Sequence, residues 1–149
     1  MSDAVTLREI TRETVYDILA LKVAPGQEHL VMPVAPSLAA AQFQPESWCR
    51  GIYRSDTPVG FVMLLDRPDT GATWLWRLLI DGQYQREGIG ARAMAEIIAH
   101  VRTLLRTTEL FTSHEPGDQN PGPFYEKLGF VYTGETDPDG ELIMRLAIR

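Results

Sequence analysis

The sequence holds a single cysteine, Cys49. That excludes an intramolecular disulfide and leaves no thiolate cluster for zinc, so no metal site is expected. A chain without disulfides suits a reducing compartment. The N-terminal Met1-Ser2-Asp3-Ala4 lacks the basic-then-apolar profile of a secretory signal, and no apolar run approaches the roughly 20 residues that cross a bilayer. These absences point to a cytoplasmic protein with no membrane partner. Positive charge is also short: 14 Lys and Arg against 20 Asp and Glu leave a formal net charge of −6. That disfavours nucleic acid, because phosphate contacts draw on Lys and Arg. It is compatible with a cationic small molecule, and equally with solubility alone. No low-complexity tract, internal repeat or linker is visible, so residues 1–149 read as one domain, large enough to bury its own core.

What is present is a regular alternation of elements. Residues 5–9 read as a strand with Val5 and Leu7 on one face. Thr11 is the expected N-cap of a helix carrying Val15, Ile18, Leu19 and Leu21, stopped near Val23 by Pro25-Gly26. Residues 27–34 show no period, and Pro33 and Pro36 keep them irregular. A short helix with Ser37 as N-cap is expected over 38–43. Strands over 48–54 and 59–65 form a hairpin through Ser55-Asp56-Thr57-Pro58, and a second turn leads into the apolar strand 74–80. Three strands joined this closely make an antiparallel meander. An amphipathic helix over 91–105 places Met94, Ile97, Ile98, Val101, Leu104 and Leu105 on one face. A strand over 109–113, a Pro/Gly-rich loop to residue 123, a helical turn over 124–128 closed by Gly129, and strands over 130–135 and 141–147 complete the chain. The order βααβββαβαββ describes a mixed α/β (α+β) domain.

Between strand 74–80 and the long helix lies Gln85-Arg86-Glu87-Gly88-Ile89-Gly90. A strand that ends in a glycine turn and launches a helix aims backbone N–H groups at an anion. We read this turn as the seat of a coenzyme pyrophosphate. Gly88-Ile89-Gly90-Ala91-Arg92-Ala93 also fits the dinucleotide fingerprint, with Glu109 at the distance of an acidic ribose ligand. Three features oppose that reading. Seven residues separate Ile80 from Gly88, Glu109 begins its strand instead of ending it, and a meander stands where βαβ units are needed. No Lys-Ser/Thr pair follows the glycines, which removes a P-loop. The plain alternative is that the glycines only permit a tight turn and close packing. The apolar face behind them, however, holds the helix start against the sheet with its free N–H groups toward solvent.

Gln85-Arg86-Glu87-Gly88-Ile89-Gly90 resembles the Q/R-x-x-G-x-G/A motif of the GNAT N-acetyltransferase superfamily, and Phe124-Tyr125-Glu126-Lys127-Leu128-Gly129-Phe130 resembles its Y-x-x-x-G-F signature. Both motifs occur in the family's order, and the βααβββαβαββ succession matches its fold across nearly the whole chain. Leu21 to Glu28, Trp74 to Asp81 and Thr133-Gly134-Glu135 look most like bacterial diamine and polyamine acetyltransferase-like proteins. The resemblance implies acetyl-CoA as co-substrate, with the pyrophosphate on the backbone amides of Arg86, Glu87, Gly88, Ile89, Gly90 and Ala91. It further implies that backbone groups of Leu78, Leu79 and Ile80 pair with the pantetheine arm as an added strand, in a slot where the sheet splays. It casts Tyr125 as the acid that protonates the departing thiolate. The chain departs from the family pattern where an Asn precedes that tyrosine by seven residues: Asp118 stands there, and Asn120 is offset by two. The glutamate that serves one branch as base, twelve residues before the tyrosine, is replaced by Ser113.

Acetyl transfer needs a neutral amine, yet an alkylammonium has a pKa of about 10.4, so a proton must be taken before a tetrahedral oxyanion can form. A backbone N–H of strand 74–80 would polarise the carbonyl, and Tyr125 would serve as general acid. From spacing alone Tyr125 packs under Gly129. Glu28, in the irregular segment after the first helix, is the candidate for gripping or deprotonating the amine, with solvated loop carboxylate as its plain alternative. His114 and Glu115 are weaker candidates, while His29 and His100 read as surface residues. Trp74 and Trp76 read as packing, with lining of the acceptor slot as the lesser reading. The expected function is acetylation of a small, cationic, polyamine-like amine, and a homodimer is compatible with it. Acetylation of a protein or peptide N-terminus and a silent acyl-CoA-binding module are the alternatives.

Overall fold

One sheet of seven strands organises the protein, and its computed structural model describes residues 3–149. Met1 and Ser2, part of the N-terminal stretch considered above, lie outside the described residues. The strands are β1 (Val5–Arg8), β2 (Ser47–Arg54), β3 (Thr57–Arg67), β4 (Ala72–Ile80), β5 (Glu109–His114), β6 (Val131–Thr136) and β7 (Leu142–Ala147). They lie in the order β1-β2-β3-β4-β5-β7-β6, and every pairing is antiparallel except β4 with β5. The helices are α1 (Val15–Leu19), α2 (Val34–Ala41), α3 (Ile89–Arg102) and α4 (Gly122–Lys127). The expected succession and the predominantly antiparallel mixed sheet are both present. Among the described residues no helix is long and apolar enough to cross a membrane.

The two sheet faces carry separate cores. On one, Ile89, Ala93, Met94, Ile97 and Val101 of α3 pack with Tyr125 and Phe130 against Val62, Leu64, Leu75 and Leu110. On the other, Ile18 of α1 and Val34 of α2 pack against Phe61, Met63, Leu65 and Leu79. Strand alternation sorts β3 between the two cores. It does the same for β4, with one interruption. Met63 pairs with Arg77 and Leu64 with Leu75, so Trp76 has no opposite residue and forms a bulge.

Helix boundaries are where the structure corrects the sequence reading. The first helix begins at Val15, not after Thr11. Thr14 is the capping residue; Thr11 and Thr14 exchange side-chain-to-backbone hydrogen bonds of 2.9 and 3.3 Å in a turn that runs into the helix through Val15 N–H on the Thr11 carbonyl at 2.9 Å, and Leu21 lies beyond its end. Ser37 is not an N-cap: α2 starts at Val34 with Pro33 as the capping residue. Ser37 is buried, its Oγ donating to the Pro33 carbonyl at 2.8 Å. Pro36 is tolerated because the first turn of a helix has no use for its N–H. The second helix also ends at Ala41, leaving Phe43 exposed. The third ends at Arg102, so Leu105 is 87% exposed, not part of the apolar face. His100, expected at the surface, is half-buried and stacks on Trp48 at 4.0 Å.

Candidate active site

The parallel pair β4 and β5 is joined only through Ala72–Trp74 and Glu109–Phe111. Beyond that point β4 stays paired to β3 as far as Ile80, and β5 to β7 as far as His114. The sheet therefore splits between them, as the resemblance implies, and a cavity of about 640 Å³ occupies the split. A larger concavity of about 850 Å³ lies over α1, α2 and β2. It touches neither the glycine turn nor the split, and the chemistry is assigned to the latter.

The split exposes backbone groups that a closed sheet would use. Asp81 N–H donates to the Val59 carbonyl at 2.9 Å, so Asp81 and, two residues back, Leu79 form the hydrogen-bonded pairs with β3. Leu78 and Ile80 then turn their N–H and C=O toward the gap. The carbonyl of Leu79 lies against Gly60 of β3 instead, so the three backbone positions named from the sequence do not behave alike. One of the gap-facing groups is already engaged: Gln85 Nε2 donates to the Ile80 carbonyl at 3.0 Å and to Gln27 Oε1 at 2.8 Å. This side chain ties the end of β4 to the loop after α1. Asp81, which is buried, accepts from Gln83 N–H at 2.9 Å and Lys22 N–H at 3.0 Å. Together these contacts fix the link that carries the glycine turn.

Gly88 is the N-cap of α3 and sits at φ +76°. A Cβ built there meets nothing within 4 Å, so the glycine answers a left-handed backbone beside open space. No side chain caps α3, and the first helical hydrogen bond runs from Arg92 N–H to the Gly88 carbonyl. The N–H groups of Ile89, Gly90 and Ala91 are therefore free for an anion, at the positive end of a 14-residue helix dipole. Arg86 and Lys127 line the same end of the cavity. Glu87 does not: its carboxylate accepts from Arg54 on the outside of the turn, which removes a negative charge from the anion site. A phosphate-bearing coenzyme fits this arrangement of open space, free donors and cations.

Tyr125 lines the same cavity from α4. Its ring is 6% exposed and packs between Phe124 at 5.2 Å and Phe130 at 5.3 Å. The Thr112 hydroxyl lies beside it and donates to the Leu75 carbonyl at 3.3 Å. Burial pushes the phenol up to about 12, against a smaller opposing effect of the neighbouring Thr112 hydroxyl. The hydroxyl thus keeps its proton over the whole physiological range. Gly129, at φ +100°, closes α4 in the left-handed conformation and turns the chain so that Phe130 backs the tyrosine.

The remaining candidates separate clearly. Leu78, Ile80, Arg86, Gly88, Ile89, Gly90, Ala91 and Tyr125 line one cavity. Glu28 does not line it: the carboxylate is exposed and accepts from Gly26 N–H at 2.9 Å. His114 lines the cavity with both nitrogens engaged, Nδ1 on the Glu115 carbonyl at 2.8 Å and Nε2 on the Tyr132 hydroxyl at 2.9 Å. The carbonyl only accepts, so the neutral ring carries its proton on Nδ1 and takes one hydrogen bond from Tyr132. Neither Asp118 nor Asn120 is in the wall. Asn120 instead braces its loop between Gly117 and Gly122, and Gln119 lines the cavity. Trp74 stacks on Phe111 at 5.1 Å, whereas Trp76 is in the wall with Val23, Leu30 and Val31. Gln119, Lys127, Leu30 and Val31 were not singled out in the sequence, where nothing marks them. Their placement follows from the loop paths after α1 and β5.

Known proteins share this fold. Over 100 residues the chain is 30% identical to the spermine/spermidine N(1)-acetyltransferase of Bacillus subtilis (strain 168), covering 63% of this chain and 66% of the relative. It thus spans slightly less than two thirds of that protein. An acetyltransferase from Thermus thermophilus superposes with a TM-score of 0.75 at 19% identity, covering 99% of each chain. A PaiA N-acetyltransferase from Thermoplasma acidophilum, solved with coenzyme A, gives 0.68 at 15% identity over 97% of this chain and 99% of that one. At such identities the structures speak for the fold. The sequence speaks for more, because residues 13–130, which span the split, the glycine turn and Tyr125, match the acetyltransferase (GNAT) family. The chain belongs to that family of acetyl-CoA-dependent acyltransferases.

Proposed function

We propose that the protein transfers the acetyl group of acetyl-CoA to the primary amine of a small acceptor by direct attack, with Tyr125 as general acid. The observation that carries this reading is the split between β4 and β5, with a free helix N-terminus and a buried, protonated phenol both in the wall of its cavity. Acetyl-CoA supplies the activated acyl thioester. The amides of Gly88 to Ala91, with Arg86 and Lys127, hold its pyrophosphate, and the gap-facing backbone of Leu78 and Ile80 pairs with its pantetheine arm. A β4 backbone N–H polarises the acyl carbonyl. The Tyr125 hydroxyl, beside Thr112, is placed to donate to the leaving sulfur; the amine nitrogen gives up one proton to solvent before attack and a second, once the C–S bond has broken, to the Tyr125 phenolate, which restores the acid.

The polyamine relative supports a cationic, polyamine-like acceptor. The cavity wall favours a second reading, an acceptor with one amine on an apolar body: Val23, Leu30, Val31 and Trp76 line its acceptor side, and no carboxylate is among the described lining residues. Thiol release from acetyl-CoA, measured across amines that include spermidine and 2-phenylethylamine, tests both. Turnover with either amine establishes transfer, and the ratio of kcat/KM values ranks the acceptors. Tight coenzyme A binding without turnover on any amine makes the protein a silent acyl-CoA module and refutes the proposal.

A further inference from the structure

An ammonium entering this cavity needs an anion, because a cation stripped of water without a partner is strongly disfavoured. The carboxylates nearest in sequence to the site do not serve: Glu28 is turned onto Gly26, Glu87 onto Arg54, and Glu115 is exposed. Ser113, which is in the cavity wall, leads to another. It lies on the β5 face of Phe111, the ring that stacks on Trp74, and so opposite to Thr112 and Tyr125. Its hydroxyl donates to Glu141 Oε1 at 2.8 Å.

We infer that Glu141, oriented by Ser113 at the rim of the split, is the carboxylate that seats the acceptor's reacting ammonium group; this rests on the acetyl-transfer reading above. The backbone of Glu141 is fixed by the turn before β7: its N–H donates to Asp137 Oδ1 at 2.9 Å, and its carbonyl accepts from Asp137 N–H at 2.9 Å. β7 then begins with Leu142 opposite His114. The side chain is half-buried and forms no ion pair among the described residues. Arg77 is near enough for the two charges to interact, but its guanidinium is held elsewhere, over the Trp76 ring at 4.3 Å with Nη1 on the Trp76 carbonyl at 2.9 Å. One carboxylate oxygen is thus anchored by a wall residue while acceptor capacity remains for a charged donor. Arg77 opposes a second positive charge beside the first, so the seat takes one ammonium at a time.

Calorimetric titration of spermidine and of 2-phenylethylamine into the coenzyme A-loaded protein tests this. Glu141→Gln keeps the shape and the Ser113 hydrogen bond while removing the charge. It is expected to weaken binding of whichever amine the wild type takes by about 10- to 100-fold, the range of a hydrogen bond to a charged group, with coenzyme A affinity unchanged. Ser113→Ala, which frees the carboxylate without discharging it, is expected to weaken amine binding only severalfold. Unchanged amine affinity in Glu141→Gln overturns the assignment, as does a wild type that binds neither amine. The two readings fail separately. Turnover by the wild type with undiminished binding in Glu141→Gln sinks only the seat. Charge-dependent binding without thiol release sinks only the transfer.

Discussion

Replacing Tyr125 by Phe isolates one hydroxyl. The ring lies between Phe124 and Phe130 at 5.2 and 5.3 Å, and phenylalanine keeps that packing. Thr112 keeps its bond to the Leu75 carbonyl, so the loss is confined to the hydroxyl, at most about 1 kcal/mol of stability. Loss of a general acid at the leaving group should lower kcat by about 10- to 100-fold, or roughly 1.4 to 2.7 kcal/mol of barrier, with KM for acetyl-CoA within about twofold. Alkaline stability gives a second, independent reading. The folded phenol titrates near 12 and an unfolded one near 10, so between those values the unfolded chain releases a proton that the folded one keeps. Ionisation then favours unfolding. The contribution is complete below about pH 10 and is lost by about pH 12, on the order of 3 kcal/mol. Thermal melts of wild type and Tyr125→Phe at pH 8, 10 and 11.5 should therefore converge and then cross as pH rises, because the wild type alone loses roughly 2 kcal/mol by pH 11.5. Steady-state thiol release gives kcat and KM at pH 8. An unaltered kcat removes Tyr125 from the chemistry, and parallel melting curves remove the burial argument for its pKa.

Three further outcomes follow from the geometry. Gly88→Glu should abolish coenzyme A binding in a calorimetric titration, because charge and bulk enter the open space before α3. The left-handed backbone adds roughly 1–2 kcal/mol of destabilisation; near-normal affinity would refute the pyrophosphate assignment. Gly60→Ala should lower stability by at least about 2 kcal/mol in a denaturant melt, since its Cβ would overlap the Leu79 carbonyl oxygen, a backbone atom that moves only if β3 and β4 part. Glu28→Gln should leave the acceptor KM within about twofold; a larger rise would mean that the loop after α1 swings its carboxylate into the cavity on binding.

The strands were legible because their signals are local. Alternation and turn residues marked all seven, and the glycine turn and Tyr125 segment stood out as motifs. Short helices were not, because their limits are set by groups the periodicity does not see. Pro36 looked like a breaker yet sits inside the first turn of α2, and Ser37 looked like a cap yet spends its hydroxyl on the Pro33 carbonyl. The proposed coenzyme half of the site is built from consecutive residues, which a motif can mark. The proposed acceptor half is assembled across the chain. Glu141 comes to Ser113 only through the antiparallel register of β5 with β7, which puts Leu142 opposite His114. Glu28 stands in the segment after the first helix expected to wall the acceptor slot; that segment does supply Gln27, Leu30 and Val31 to the cavity, but the Glu28 carboxylate is taken up by a turn two residues away.

One extra residue in β4 links those two halves. Because Trp76 has no partner on β3, Trp76 and Arg77 both belong to the α1/α2 face, and alternation resumes with Leu78 and Ile80 on the α3 face. Without the bulge, the residues after Leu75 would keep its phase, and Leu78 and Ile80 would face α1 while Leu79 faced α3. The backbone groups would exchange as well: Leu79 would turn its N–H and C=O to the gap, and the pairing row offered to an added strand would shift by one residue. The same insertion adds twist where β4 leaves β5, the point at which the pairing stops at Trp74 and Phe111. The bulge therefore sets three things together: where the sheet opens, which backbone groups face the gap, and which aromatic and cationic side chains lie on the α1/α2 face. On the acetyl-transfer reading proposed above, recognition of the two substrates is coupled through strand register, and a change at Trp76 is felt on both sides of the sheet.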